Sequence, residues 1–176
     1  MKKIYTYMMM VLMALPMLTL TSCDRDAQDR YEARTLEGTW TGYIDTYYFD
    51  RWGKRGETFR TSIYFGRENP YGGWGYEIDY NISNRYVDYY CEFRWEVYNG
   101  RIRIKYDDSW GYVYIYDHNI SPDGGFFEGY MDDGTSRDIH FQLTYDNAFN
   151  WDSWRKSWRR SQVPNDSIAN KSQSGK

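Results

Sequence analysis

Between residues 36 and 145, apolar and polar positions alternate with a period of two in eight runs, each ended by Gly, Asn, Asp or Pro. That period predicts half-buried strands. The sharpest pair is Cys91 to Tyr98 and Arg101 to Tyr106, joined by Asn99-Gly100. Both turn residues tolerate the positive φ of a type I′ turn, and a two-residue loop fixes the register. Val97 is expected opposite Ile102, Trp95 opposite Ile104 and Phe93 opposite Tyr106, with Glu96 opposite Arg103 on the other face. Apolar then meets apolar, and acid meets base.

The other runs are Thr39 to Phe49, Glu57 to Phe65, Trp74 to Asn81, Trp110 to Tyr116, Phe126 to Met131 and Arg137 to Tyr145. Their expected inward sets are Trp40 and Ile44; Phe59, Ile63 and Phe65; Trp74, Tyr76 and Ile78; Val113 and Ile115; Phe127 and Met131; Ile139, Phe141 and Leu143. Sequential hairpins with one apolar face each are closed most simply as an all-β, eight-stranded antiparallel up-and-down barrel, which also removes exposed edges. Tyr112, Tyr114 and Tyr116 alternate with Val113 and Ile115, so that run carries a tyrosine stripe on its outward face.

Beyond Tyr145, Trp151, Trp154 and Trp158 are spaced i, i+3 and i+7, one stripe of a short C-terminal helix. That helix is expected either to pack on the barrel or to sit at a membrane surface, where Arg155, Lys156, Arg159 and Arg160 would suit it. From Ser161 the chain is polar, and residues 161–176 are expected to be a disordered tail. Residues 24–35 lack the period-2 pattern and are charged, which predicts a flexible tether covering residues 23–35.

Composition sharpens this picture. The chain has 20 Tyr, 8 Trp and 8 Phe in 176 residues, a usage that favours strands. With 22 Lys and Arg against 25 Asp and Glu it is acidic, a poor match for nucleic acid, whose binding rests on phosphate neutralisation. Chemistry is sparse. His118, read as a turn residue, and His140, on an outward parity, have no second ligand at metal spacing, and no nucleophile elbow or phosphate loop occurs. Asp107, Asp108, Asp123, Asp132 and Asp133 sit at turn positions, where Asp bonds its own backbone. The stretch from Asp117 to Glu128 loosely follows calcium-loop spacing, but Pro122 stands where that loop needs Gly. No metal or cofactor is expected. Cys91 shares the parity of Phe93 and is expected to be a buried, inert thiol.

The first residues, Met1-Lys2-Lys3, and the apolar run Met8 to Leu20 have signal-peptide architecture, and the run is shorter than the ~20 residues a spanning helix needs. Leu20-Thr21-Ser22-Cys23 resembles the lipobox of bacterial lipoproteins. The resemblance implies cleavage after residue 22, lipid on Cys23, and residence in the cell envelope at an outer membrane. Leu36-Glu37-Gly38-Thr39-Trp40 resembles the Leu-x-Gly-x-Trp opening of lipocalin-like envelope lipoproteins of Gram-negative bacteria, which implies their barrel from Leu36 to Tyr145, in a domain of residues 36–160 with the C-terminal helix, and small-ligand binding. Asp166-Ser167-Ile168 resembles an O-glycosylation signal of exported proteins, with Ser167 as acceptor.

These readings point to a membrane-anchored, non-catalytic binding protein for a small apolar molecule or a glycan. The alternative is an interaction protein that takes an envelope partner on its outer surface. In an up-and-down barrel the end opposite the tether would carry Arg51, Trp52, Lys54 and Arg55 beside Tyr86, Tyr89 and Trp110. Aromatic and arginine side chains together are the composition of binding hot spots, so this rim is the expected ligand contact.

Overall fold

A computed structural model describes residues 25–82, 87–121 and 125–162. Cys23, Tyr86 and Ser167 lie outside them. Eight antiparallel strands close into one barrel in sequence order, β1 (Gly38–Asp50), β2 (Gly53–Asn69), β3 (Gly72–Asn81), β4 (Val87–Tyr98), β5 (Arg101–Tyr106), β6 (Val113–Ser121), β7 (Phe126–Asp132) and β8 (Asp138–Tyr145). A helix at residues 25–36, α1, precedes the barrel. A second, α2 (Trp151–Gln162), follows it. The up-and-down order expected from the alternation is the one observed.

The β4–β5 hairpin has the expected register, with Val97 opposite Ile102, Trp95 opposite Ile104, Phe93 opposite Tyr106 and Glu96 opposite Arg103. Asn99 and Gly100 both take positive φ, as a type I′ turn requires. Side chains directed inward from all eight strands fill the barrel. Trp40, Phe65, Phe93, Phe127 and Phe141 are its largest fully buried members, packed among Ile63, Ile102, Ile104 and Ile115. Aromatic edges meet faces throughout, as between Phe127 and Phe141 at 4.6 Å and Phe65 and Trp95 at 5.3 Å.

Four expectations are corrected. The inward set of β3 is not Trp74, Tyr76 and Ile78. Ile63 pairs with Glu77 and Phe65 with Gly75, so Gly73, Gly75, Glu77 and Asp79 face inward. The aromatic face of β3 looks outward because α2 covers it. Trp151 lies 5.6 Å from Tyr76 and Trp154 lies 5.2 Å from Tyr90, while Arg155 Nη1 donates to Tyr76 Oη at 2.8 Å. The tryptophan stripe of α2 is thus spent on the barrel wall. Inside, the bare glycines leave the room that Phe93 and Trp95 occupy; a Cβ on Gly75 would stand 2.3 Å from the Phe93 ring.

Second, residues 25–36 form a helix where a flexible tether was expected. Its sequence is rich in good helix formers, and Arg30 pairs with Asp26 across one turn. The helix buries Asp29, Ala33 and Leu36, an i, i+4, i+7 stripe, against the end of the barrel where β1 begins. Asp29 clasps the β4–β5 turn: its carboxylate accepts from Asn99 N and Gly100 N, both at 2.8 Å. Tyr71, in the β2–β3 turn, donates to Asp26 at 2.7 Å. We call this the proximal end.

Third, His118 lies within β6 and is not an exposed turn residue. A register irregularity between Tyr116 and Asn119, with Asp117 at φ 46, accompanies its placement against Phe127. Its Nε2 sits 2.5 Å from Glu32 Oε1 of α1. Fourth, the expected connection from Asp50 to Gly56 is mostly strand: β1 and β2 stay paired up to Asp50 and Gly53, leaving Arg51 and Trp52 as the turn. Strand β6 begins at Val113, so Trp110 belongs to the preceding connection.

Candidate functional site

The expected rim residues are spread over the distal end. Arg51 and Trp52 form the tip of the β1–β2 hairpin, with Lys54 and Arg55 just inside it. Trp110 is fully exposed in the β5–β6 connection. Tyr89 has turned into the barrel mouth, where its hydroxyl donates to Asp108 at 3.2 Å and its ring lies 6.3 Å from Tyr106. Trp52 and Trp110 are thus displayed outward while Tyr89 is half-buried. The residues do not share one pocket wall.

Below the mouth lies a polar cluster that the alternation did not reveal. Glu77 is buried inside the barrel and accepts a hydrogen bond from the Tyr106 hydroxyl. Loss of hydration pushes its carboxyl well above the usual range, and Asp79 on the same face adds to the shift. Burial likewise raises Tyr106, Tyr89 and the Cys91 thiol. A carboxyl in this setting favours its neutral form, and Cys91 favours the unreactive thiol. Among the described residues no group of three His, Cys, Asp or Glu side chains is placed to hold a metal ion.

The outer wall carries the most extended display of rings. Tyr112 and Tyr114 precede and open β6, Tyr116 follows two positions on, and Tyr130 stands opposite Tyr116 on β7. All four are between 39% and 46% exposed, so each offers a ring surface to solvent while resting on a neighbour. Tyr116 and Tyr130 stack at 6.1 Å, Tyr112 and Tyr114 lie 6.2 Å apart, and Tyr130 continues onto the His140 ring at 4.9 Å. The strand period explains the row, because Val113, Ile115 and Met131 take the inward positions between these rings. The extension of the row to Tyr130 and His140 escaped sequence reasoning because no two-residue turn fixes the β6–β7 and β7–β8 registers that bring these rings side by side.

At Tyr112 the row runs into a groove of about 440 Å³ on the outer face of β2 to β5. Gly73 lines it with backbone alone, between Glu68 and Glu96. Its walls are ion pairs, Arg94 with Glu68 and Arg103 with Glu96. The Arg103 guanidinium also lies 5.3 Å from the Tyr112 ring. Exposed ring faces, hydroxyls and charge-paired donors and acceptors therefore form one strip along the wall. Such a strip can stack on flat apolar surfaces and hydrogen-bond their edges at once.

No described helix is long and apolar enough to cross a membrane. The chain matches no family model, no curated protein and no solved structure.

Proposed function

We propose that this protein is a non-catalytic glycan-binding lipoprotein of the cell envelope, held at an outer membrane by lipid on Cys23. The observation that carries the reading is the solvent-facing row of Tyr112, Tyr114, Tyr116 and Tyr130 leading into the polar groove at Arg103. A pyranose ring has apolar faces and a hydroxylated rim, the complement of such a strip. The packed interior favours the wall over the barrel as the binding surface. Trp40, Phe65, Phe93, Phe127 and Phe141 occupy the space that a small apolar ligand would need.

Retardation in native gels cast with a panel of soluble neutral polysaccharides tests the glycan reading. At least one polymer should slow the protein. The double substitution Tyr114→Ala and Tyr116→Ala should weaken that retention roughly thirtyfold, since each exposed ring contributes about 1 kcal/mol. Retention indifferent to both substitutions, or none across the panel, would remove the wall as a glycan site. The anchor has its own test: Cys23→Ser should release the protein from the membrane fraction and block processing, whereas unchanged fractionation and processing would refute lipidation.

A further inference from the structure

The β1–β2 hairpin outruns the barrel. The two strands pair as far as Asp50 and Gly53, but β8 leaves β1 at Tyr47 and β3 joins β2 only from Phe59. Residues 48–58 therefore project as a two-stranded arm, extending three to six residues beyond its neighbours, about 10–20 Å. Its tight tip needs Gly53, which takes φ 119. Phe49 and Trp52 at the tip are 75% and 80% exposed. Both outer edges of the arm lack a strand partner among the described residues.

The arm is also where positive charge collects, with Arg51, Lys54 and Arg55 against Glu57 and Asp50 in a chain of net charge −3. Among the described residues no carboxylate pairs with Arg51 or Lys54; the ammonium of Lys54 rests 4.1 Å from the Tyr47 ring. Up-and-down topology puts the β5–β6 and β7–β8 connections at this same distal end. The first carries Asp107 and Asp108, on the far side of the mouth from the arm in strand order, and the second carries Asp132 and Asp133, separated from the arm only by β8. Asp132 and Asp133 each use one oxygen to shape their turn, at 2.8 Å to Gly134 N and 2.9 Å to Thr135 N.

An exposed aromatic tip flanked by cations and an acidic rim on one pole form a self-complementary surface. We propose that the distal end pairs with a second copy of the chain about a two-fold axis, the arm of each copy lying over the acidic rim of the other. Isologous contact uses the same patch twice, so both arms and both rims are engaged at once. Phe49 and Trp52 lose their exposure to water, and the ion pairs at the margin set the register. An anionic membrane is the poorer occupant, because the same rim that attracts an arm repels anionic lipid. The contact shares no residue with the tyrosine row, so it stands or falls separately from glycan binding.

Sedimentation of the intact chain in density-matched detergent, over a range of concentration and salt, tests the pairing. A reversible dimer that weakens as salt rises is expected. Arg51→Glu with Lys54→Glu should raise its dissociation constant at least tenfold, as should Asp132→Lys with Asp133→Lys. An equimolar mixture of these two charge-reversed chains should recover association, a rescue that a merely misfolded variant cannot give. Trp52→Ser, which leaves the turn aspartates intact, should also weaken the dimer. A monomer at every concentration, or a dimer indifferent to the arm substitutions, would overturn the proposal. So would monomers whose Trp52-dependent binding to phosphatidylglycerol vesicles assigns the arm to lipid instead.

Discussion

Replacing Trp95 by Ala should cost about 3–5 kcal/mol in denaturant melts, the largest loss expected from any single substitution in the barrel. The indole is buried against Phe65, and its Nε1 donates to two carbonyls, Gly66 O and Trp74 O, each at 3.1 Å. Removing it opens a cavity bordered by β3, where Gly73 and Gly75 have no side chains to move inward. The site cannot collapse, so most of the lost contact stays lost. Trp95→Phe keeps a ring but gives up both hydrogen bonds, and should fall between the alanine variant and wild type. A loss below ~1 kcal/mol for Trp95→Ala would put this side chain in water and reverse the parity of β4.

The second large effect is in the pH dependence of stability. Burial raises the folded carboxyl of Glu77 above its unfolded value, so below the unfolded value, near 4.5, folded and unfolded states are both protonated and the full stability is present. As pH rises past that value the unfolded chain releases this proton while the folded chain retains it. Stability then falls by about 1.4 kcal/mol per pH unit until the folded value is passed. Glu77→Gln keeps the shape and can still accept from Tyr106, with no proton to lose. Melts from pH 5 upward should show this variant gaining on wild type as pH increases. Parallel stability curves for the two proteins would mean that Glu77 is ionised and compensated in the fold.

The contrast between β4 and β3 shows what alternation can and cannot convey. From Glu92 to Tyr98, β4 meets the core on one side and solvent or charge on the other, so Phe93, Trp95 and Val97 declare their face. Strand β3 is covered on both sides, by the core within and by α2 outside. Its large residues stand on the outer face, and its inner face is glycine and acid. Side-chain size then points the wrong way, and only the strand pairing corrects it. Helix α1 was hidden for a related reason. One of the three stripe positions is Asp29, whose partners are the backbone amides of a turn 70 residues away. Polar residues with distant partners read locally as linker. The tyrosine row was legible on β6, because Val113 and Ile115 settle its parity. Its extension to Tyr130 and His140 required the β6–β7 and β7–β8 registers.

The clasp between Asp29 and the Asn99-Gly100 turn bears on how the molecule would stand on a membrane. One residue, Asp24, separates Cys23 from Arg25, the first described residue of α1, a span of no more than about 7 Å even fully extended. A lipid on Cys23 would therefore act as a mount and not as a leash. The proximal pole would be held against the bilayer, and the domain would have little freedom to sweep the space around it. Tyr112, Tyr114, Tyr116 and Tyr130, set along the side wall, would look across the membrane plane towards neighbouring molecules. Their encounters would then be governed by lateral diffusion in the bilayer and by the polymers lying on its surface.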